Sequence, residues 1–319
     1  MMLTENKMKI DVIIPVYRPG SRFLEMVRRL TIQTRPVNRF IIMNTEEDLW
    51  NDWVEDLPIG SLPSNLSVFH VTKEEFDHGA TRHLGILQSD ADICVFMTHD
   101  AMPANKKLIE RLTDGLMEEE SIGAAYARQM AEQDCHVIER YTRSFNYPEE
   151  SSIKSKDDLE QLGIKTFFCS DVCAVYRKSV YDELGGFVTQ TIFNEDMILA
   201  SKIIDAGYSI AYAADAKVYH AHKYTYRQQF TRNFDLGVSQ RQYRQVFEGV
   251  KSESEGIKMV KQTAGYLLKE GHPFLIIDLV LQSGFKFLGY RLGKRYDKLP
   301  LWLIRACSMQ KSYWENGKG

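Results

Sequence analysis

The sequence predicts an α/β fold in which a mostly parallel sheet is flanked by helices and followed by a C-terminal helical extension. Three observations support this prediction. Short β-branched runs without polar alternation, such as IDVIIPV at 10–16, are typical of strands buried on both faces. Stretches with apolar residues at helical spacing separate these runs. From about residue 225 onward, long helical patterns follow without another strand.

The first half of the chain alternates between strands and helices. A strand at 10–16, a helix at 23–33 and a strand at 39–44 form a βαβ unit, which is the building block of a parallel sheet. The next predicted elements are strands at 66–71 and 92–97 with a helix after FDHG between them, a helix at 106–119 and a strand at 123–127. The sheet therefore continues past residue 120.

The later elements are shorter. The pattern predicts a strand at 167–176, a helix at 178–184 that two glycines end, a helix after FNEDM, and strands at 210–213 and 217–219. The change in composition near residue 225 predicts one domain at 1–225 and a helical region at 226–319.

Composition and charge exclude several classes of protein. With 319 residues, of which 44% are hydrophobic, the chain can bury a large core. The net charge of −3 gives no global attraction to nucleic acid. The five cysteines include no CxxC pair and predict reduced thiols in a cytoplasmic protein. The polar N-terminus does not resemble a signal peptide, and no apolar run reaches the ~18 residues of a membrane span.

The ends of the predicted strands carry candidate metal ligands. FMTHDAMP ends a buried strand at Asp100, and YHAHKY places His220 and His222 two residues apart, on one face if that segment is extended. A carboxylate at this edge of a sheet is well placed to hold Mg²⁺ or Mn²⁺, and a histidine could complete the ligand set. The alternatives are that Asp100 caps the next turn and that the histidines belong to the core.

Two helix starts carry further candidates. FDHGATRHLG places Gly79 and Arg82 where free N–H groups and a guanidinium could seat a diphosphate. FNEDM places Glu195 and Asp196 at a helix start, where acids either cap the helix or supply a general base. Polar groups at other strand ends, Asp171 and Arg128 among them, add to the same rim.

The C-terminal segment 273–314 combines basic and aromatic residues. Seven lysines and arginines stand against two acidic residues, with Phe, Leu, Tyr and Trp between them. This pattern is typical of helices that lie in a membrane interface and are attracted by anionic lipid. Alternatively, the apolar faces dock on the first domain.

The ordered set of motifs resembles the family 2 glycosyltransferases of the GT-A fold. IIPVYRPG, THDA, the ED pair and HAHKYT carry this resemblance. Together with FDHGATR, FFCSDVCAVYR, GGF and LGYRLGKRYDKLP, they are similar to bacterial rhamnosyltransferases that build cell-surface polysaccharide. The resemblance covers most of the chain. One departure is His83, where similar enzymes often have asparagine after the TR of the glycine loop.

The resemblance implies roles for individual residues. Asp196 would be the catalytic base with Glu195 beside it, and Asp100 would bind the metal with His222 or, alternatively, His220. The implied donor-binding residues are Pro15, Tyr17, Glu46, Gly79, Arg82 and Asp100, with Glu46 replacing the acid that relatives use for the nucleoside. The implied acceptor-binding residues are Asp171 and Arg128.

The implied reaction is inverting transfer of a sugar, L-rhamnose from dTDP-rhamnose, to a hydroxyl group of a lipid-linked or growing polysaccharide. The implied cofactor is Mg²⁺ or Mn²⁺, and the implied location is the cytoplasmic face of the plasma membrane. Two alternatives are transfer of galactose, glucose or N-acetylglucosamine from a UDP-sugar, and a non-catalytic nucleotide-binding partner in a polysaccharide assembly complex.

Overall fold

The computed structural model describes residues 8–132, 134–250 and 253–315. Residues 1–7, on which the prediction about a signal peptide rests, lie outside the described residues. Within the described residues, one sheet contains the strands β1 (Ile10–Tyr17), β2 (Arg39–Thr45), β3 (Leu66–Val71), β4 (Ile93–Met97), β5 (Met102–Pro103), β6 (Ile122–Met130), β7 (Ser152–Lys154), β8 (Cys173–Arg177) and β9 (Ser209–Tyr219).

The strand order is β3-β2-β1-β4-β8-β6-β9-β5, and β7 also pairs with β9. Parallel pairing joins β1 to β2 and β4, β2 to β3, and β6 to β9. Because β8 runs antiparallel to both β4 and β6, those two strands point the same way. All strands except β5, β7 and β8 therefore share one direction, which confirms the predicted mostly parallel sheet.

The described helices flank the sheet and continue beyond it. They are α1 (Ser21–Thr31), α2 (Glu47–Glu55), α3 (His78–Leu87), α4 (Leu108–Met117), α5 (Val137–Asn146), α6 (Leu159–Leu162), α7 (Lys178–Glu183), α8 (Glu195–Asp205), α9 (Tyr226–Gln242), α10 (Arg244–Phe247), α11 (Glu253–Lys269), α12 (Leu275–Gly293), α13 (Leu301–Cys307) and α14 (Lys311–Glu315). Short 3-10 helices span Lys156–Asp158, Gly163–Phe167 and Tyr296–Lys298.

The sheet is buried on both faces, as its unbroken apolar strands predict. Along β1, Val12 and Ile14 face the side covered by α1, α2 and α4, whereas Ile13 faces the side covered by α3, α7 and α8. Alternate residues of a strand point to opposite faces, so one strand contributes to both cores. Burial of this kind contributes about 25 cal/mol per Å² of apolar surface. It makes the sheet a rigid support for the loops at its edge.

Two predicted elements differ in the structure. The strand predicted at 167–176 begins only at Cys173, because the preceding residues form a 3-10 helix and a turn. In that turn the Phe168 carbonyl accepts a hydrogen bond from the buried Lys154 ammonium instead of joining a strand ladder. The strands predicted at 210–213 and 217–219 are one strand, β9, with a register shift between them.

Helices α9 and α12 pack closely through glycines in the C-terminal region. A Cβ on Gly289 would lie 2.2 Å from the Phe230 carbonyl oxygen, and one on Gly293 would lie 2.1 Å from the Phe234 carbonyl oxygen. The second contact lies four residues after the first in both helices, so the two helices run in the same direction. Only glycine permits two backbones to approach this closely.

The described helices and the cysteines bear on two further predictions. None of the helices there is both long enough and apolar enough to span a bilayer. All five cysteines are buried and free, in agreement with the prediction of reduced thiols.

Candidate active site

The carboxyl ends of the parallel strands meet at one edge of the sheet. Asp100 lies in the turn after β4, and His220 and His222 follow β9. Asp171 precedes β8, which runs the opposite way and therefore begins at the same edge. Open α/β sheets bind ligands beyond this edge. The topology thus brings residues that are far apart in the sequence into one crevice.

One carboxylate and two imidazoles converge in this crevice. Nε2 of His222 lies 3.5 Å from Oδ2 of Asp100, and Nε2 of His220 lies 3.6 Å from the same oxygen. The ligand atoms of the three side chains all lie within 4.8 Å of one another. The contacts of Asp100 therefore favour the ligand interpretation over the turn-cap interpretation. We call Asp100, His220 and His222 the Asp-His-His group.

Gln129 on β6 determines which nitrogen of His220 carries the proton. The side-chain oxygen of Gln129 lies 2.9 Å from Nδ1 of His220 and accepts a hydrogen bond from Arg143 at 2.6 Å. The amide nitrogen of Gln129 donates to Ser170, so this orientation of the amide is satisfied at both ends. Because an amide oxygen can only accept, His220 must donate from Nδ1. Its Nε2 lone pair then faces Asp100.

Burial keeps both imidazoles neutral. It lowers the pKa of His220 to about 3 and also lowers the pKa of His222, while the Asp100 carboxylate acts in the opposite direction. Burial alone would raise the pKa of Asp100, but His220, Thr98 and His222 outweigh it and leave that pKa below its usual value. An ionised carboxylate with neutral imidazoles is the protonation state in which these groups bind divalent metal ions.

A second group of charged side chains surrounds Arg82 on α3. Nη1 of Arg82 lies 2.9 Å from Oε1 of Glu195, and its Nε lies 3.6 Å from Oδ2 of Asp171. All three side chains are buried. The guanidinium also donates to the carbonyl oxygen of His78. Arg82 is therefore a structural cation shared by two carboxylates. We call Arg82, Asp171, Glu195 and the adjoining Asp196 the carboxylate cluster.

Asp196 is the member of this cluster that is partly exposed. Its Oδ1 accepts a hydrogen bond from the Met197 N–H at 2.7 Å. The pKa of Asp196 is raised to about 7, first by burial and then by the charge of Glu195, which together outweigh the lowering by the Met197 amide, Arg82 and the Asp171 amide. A carboxyl group with this pKa is suited to accept a proton near neutral pH. Burial also raises the pKa of Asp171, well above its usual range.

The start of α3 differs from the expectation for Gly79. Asp77 accepts hydrogen bonds from the N–H groups of Gly79 and Ala80, at 2.9 and 3.0 Å. The expectation that free N–H groups there seat a diphosphate is therefore not met. Gly79 permits close packing, because a Cβ at this position would lie 1.9 Å from the Val188 carbonyl oxygen. Arg82, the other half of the expected seat, is engaged by Glu195 and Asp171.

The predicted nucleoside contacts lie at the ends of β1 and β2. Tyr17 pairs in register with Thr45, next to Glu46, and the half-buried Pro15 lies two residues before Tyr17. Nζ of Lys73, a residue that the sequence patterns did not single out, lies 3.4 Å from Glu46 and 5.6 Å from the centre of the Tyr17 ring. Lys73 follows β3, so adjacent strand ends build this corner.

The two predicted acceptor residues are already engaged within the protein. Arg128 pairs with Glu149 at 2.9 Å, and its neighbour Gln129 makes the contact with His220. Asp171 is almost fully buried and accepts a hydrogen bond from the Tyr176 hydroxyl. The Asp171 side chain is thus occupied inside the protein, and Gln129, rather than Arg128, lies beside the Asp-His-His group.

The C-terminal end of the chain also reaches the site. Oδ2 of Asp235 on α9 accepts hydrogen bonds from the N–H groups of Met309 and Gln310. The Gln310 side chain then lies 3.2 Å from Nε2 of His78, whose Nδ1 is 4.0 Å from Glu195. No sequence pattern indicated Gln310, because an isolated glutamine beyond the sheet carries no periodic signal.

The chain is similar to known glycosyltransferases along nearly its whole length. The family model described as glycosyl transferase family 2 matches residues 11–185. The chain is 40% identical to the O-antigen chain rhamnosyltransferase RfbN of Salmonella typhimurium, over 97% of both chains. It is 39% identical to the O-antigen chain rhamnosyltransferase WbaN of Salmonella anatum, over 96% of this chain and 95% of that one.

Solved structures with low sequence identity share the fold. The mannosyltransferase PcManGT of Pyrobaculum calidifontis, solved with GDP-Man and Mn²⁺, matches 97% of this chain and 85% of its own at a TM-score of 0.54 and 13% identity. TarS of S. aureus, solved with UDP-GlcNAc, matches 91% and 92% of the two chains at a TM-score of 0.51 and 14% identity. These likenesses confirm the predicted glycosyltransferase fold.

Proposed function

The chain belongs to glycosyl transferase family 2, and from that premise we propose that it transfers L-rhamnose from dTDP-rhamnose to a hydroxyl group of a cell-surface polysaccharide acceptor. One observation carries the proposal: the 40% identity, across 97% of both chains, to an enzyme named an O-antigen chain rhamnosyltransferase. The acceptor is a lipid-linked or growing saccharide. The geometry of the carboxylate cluster supports the transfer chemistry.

Asp196 is the general base. It takes the proton of the acceptor hydroxyl as that oxygen forms a bond to the anomeric carbon of the donor. The bond from this carbon to the phosphate oxygen breaks on the opposite face, and the diphosphate leaves with the electron pair. Configuration at the carbon inverts in this single displacement, so no covalent enzyme intermediate is required. The backbone N–H groups of Met197 and Asp171 keep the Asp196 carboxylate in place, and the negative charge of Glu195 beside it keeps its pKa raised.

The residues of the Asp-His-His group fit a divalent cation. With Nδ1 of His220 donating to Gln129, the Nε2 lone pair and the Asp100 carboxylate face each other at 3.6 Å, an arrangement that repels unless positive charge lies between them. Asp100, His220 and His222 would hold Mn²⁺ or Mg²⁺, and imidazole donors favour Mn²⁺. When bound, the ion supplies positive charge that stabilises the leaving diphosphate.

The corner formed by Pro15, Tyr17 and Glu46 holds the nucleoside of the donor. Tyr17 offers an aromatic face, and Glu46 offers carboxylate oxygens that are already oriented by the Lys73 backbone N–H at 2.8 Å. Together with the Asp-His-His group, this corner places the nucleoside and the diphosphate along the edge of the sheet.

In this proposal, residues 1–225 form the catalytic domain, and residues 226–319 form a helical region that contacts the cytoplasmic face of the plasma membrane. Large apolar side chains are exposed on α12 and α13 and beside them, with Phe274 at 86% and Trp302 at 70% exposure. The exposed apolar residues of this surface are Phe274, Ile277, Val280, Leu281, Phe285, Phe287, Leu288, Leu301 and Trp302. Basic residues of the same segment would meet anionic headgroups.

Vesicle sedimentation tests the membrane contact. The protein should bind vesicles of phosphatidylcholine with phosphatidylglycerol more strongly than vesicles of phosphatidylcholine alone. Combined substitution of Phe274, Ile277 and Trp302 by serine should reduce this binding. Ile59→Ser is the matched control, because Ile59 is a fully exposed apolar side chain in the catalytic domain. Equal binding by the triple variant and the wild type would contradict the membrane contact.

A donor screen tests the transferase proposal. The protein is incubated with Mn²⁺, a lipid extract that supplies lipid-linked saccharides, and either dTDP-rhamnose or a UDP-linked galactose, glucose or N-acetylglucosamine. We expect release of dTDP that depends on the extract. Release of UDP alone would replace rhamnose by another sugar. If no donor is turned over while a nucleotide still binds, the protein is a binding partner instead.

A further inference from the structure

Arg232 on α9 lies between the two groups that form the candidate active site. Its guanidinium carbon is 4.7 Å from the centre of the Phe193 ring and 5.9 Å from the centre of the Tyr224 ring. Phe193 lies two residues before Glu195, the first residue of α8, which also carries Asp196. The Tyr224 ring lies 5.0 Å from the His222 ring. The Arg232 side chain is therefore held by rings that adjoin the carboxylate cluster on one side and the Asp-His-His group on the other.

Arg232 differs from the other cations of the site in its partners. Arg82 pairs with Glu195, and Arg143 pairs with Glu139 at 2.8 Å. Among the side chains that the structure describes, no carboxylate forms an ion pair with the Arg232 guanidinium, which is only partly buried. An arginine that is oriented by aromatic faces but lacks an acidic partner keeps its five N–H donors for a ligand.

A second cation, Lys286, approaches the same space from α12. Burial lowers the pKa of Lys286, and the charges of Arg232 and Arg143 lower it further, whereas Glu139 raises it. Lys286 therefore lies near the charges of Arg232, Arg143 and Glu139, and Glu139 already pairs with Arg143. Like charges gathered in a partly buried space repel one another, and an anion bound there relieves that repulsion.

The close packing of α9 against α12 holds the two cations near each other. Gly289, one turn after Lys286, meets the Phe230 carbonyl at a distance that excludes any side chain. One turn earlier on α12, Phe285 stacks on Tyr226 with ring centres 5.5 Å apart. These contacts lie on either side of Lys286 in the sequence. They fix the position of Lys286 along α9, the helix that carries Arg232.

We propose that Arg232, supported by Lys286, binds the diphosphate of the nucleotide-sugar donor and neutralises it as it leaves. This inference rests on the proposed transferase function. The diphosphate contact that the sequence predicted for Arg82 is assigned here to a residue of the C-terminal helices, because the Arg82 guanidinium is already engaged by two carboxylates. A planar guanidinium can contact two phosphate oxygens at once, which suits the bridging position of Arg232.

Titration calorimetry in the presence of Mn²⁺ tests the inference. The wild type, Arg232→Gln and Arg227→Gln are each titrated with dTDP, UDP, thymidine and uridine. Arg227 is the matched control, because it is an exposed arginine on the same helix. For the diphosphate that the wild type binds, we expect Arg232→Gln to weaken affinity by about 10- to 100-fold. Arg227→Gln should leave it unchanged, and the affinity for the matching nucleoside should remain the same in all three proteins.

Two outcomes would overturn the inference, and a third concerns only the function on which it rests. If Arg232→Gln keeps the diphosphate affinity of the wild type within about twofold, Arg232 is not a diphosphate ligand. If nucleoside affinity falls in parallel, the effect is a general disturbance of the site. If the wild type binds neither diphosphate, the transferase proposal itself fails. Arg232→Lys, which keeps the charge but loses the planar fork, should give an intermediate affinity and confirms the inference in a less disruptive variant.

Discussion

Nη1 of Arg82 lies 2.9 Å from Oε1 of Glu195, and both side chains are buried. This ion pair separates the roles of two adjacent acids. Glu195 is committed to Arg82, whereas Asp196 remains partly exposed with a raised pKa. Both acids also lie in the first turn of α8, where Asp196 accepts the Met197 N–H, so the capping alternative is met in part beside the ion pair of Glu195.

Removal of Arg82 should destabilise the protein strongly. Arg82→Met leaves the Glu195 and Asp171 carboxylates buried without their cation, and breaking a buried ion pair in this way costs about 3–5 kcal/mol. Urea denaturation measures the change in the free energy of unfolding. Arg227→Met, which removes an exposed arginine, should change it by less than about 0.5 kcal/mol. Similar small changes for both variants would contradict the structural role of Arg82.

Mn²⁺ should bind to the protein more tightly than Mg²⁺. Two imidazoles and one carboxylate suit Mn²⁺ better than Mg²⁺, which prefers oxygen ligands. His220→Ala should weaken Mn²⁺ binding at least about 10-fold, because it removes one of the three ligands. Calorimetric titration with each metal measures both effects. The exposed His272→Ala is the control, and an equal loss of affinity in that variant would contradict the assignment.

Two glycines on α12 should respond in opposite ways to alanine. Gly289→Ala places a methyl group against the Phe230 carbonyl and should lower the free energy of unfolding by about 1–3 kcal/mol. Gly284→Ala on the same helix meets nothing within 4 Å and should stabilise the helix by up to about 1 kcal/mol. Thermal unfolding of the two variants measures this contrast. Equal midpoints would argue against the close packing of α9 and α12.

The contact between Asp235 and the C-terminal end should depend on pH. Burial raises the pKa of Asp235 to about 7 from an ordinary value of 3.8. A carboxyl group whose folded-state pKa is raised stabilises the fold at low pH, and this contribution is lost as the pH rises to about 7. The wild type should therefore lose about 1.4 kcal/mol of unfolding free energy per pH unit in this interval relative to Asp235→Asn. Urea denaturation at several pH values measures the difference. Parallel pH profiles of the two proteins would contradict this assignment.

The sheet was predictable from the sequence because its strands are buried on both faces and therefore consist of unbroken apolar runs. Strand direction then placed Asp100 and the histidine pair at one edge without any knowledge of side-chain contacts. The strand predicted at 167–176 begins later in the structure, because the first apolar residues of this stretch belong to a 3-10 helix and a turn. The Phe168 carbonyl oxygen accepts a hydrogen bond from Lys154, which is distant in sequence, instead of from the backbone of a neighbouring strand.

The sequence could not distinguish residues whose roles depend on tertiary contacts. Arg128 and Gln129 are adjacent, and only the structure assigns the contact with His220 to the neutral residue. Gly79 carried a signal for a phosphate loop but serves the close approach of Val188. Arg232 lies on α9, and the apolar periodicity of this helix does not indicate that Arg232 faces the crevice. Such roles arise from packing between elements that are far apart in the chain.

The pH dependence of sugar transfer by the wild type and by Asp196→Asn tests the central claim most directly. The raised pKa of Asp196 predicts that kcat/KM of the wild type rises with pH and reaches half of its plateau near pH 7, because the base must be ionised. Asp196→Asn should lower the plateau by about 10²- to 10⁴-fold, lose this rise and keep its affinity for the nucleotide. Transfer by Asp196→Asn at the rate of the wild type, with the same pH profile, would contradict the assignment of Asp196 as the base.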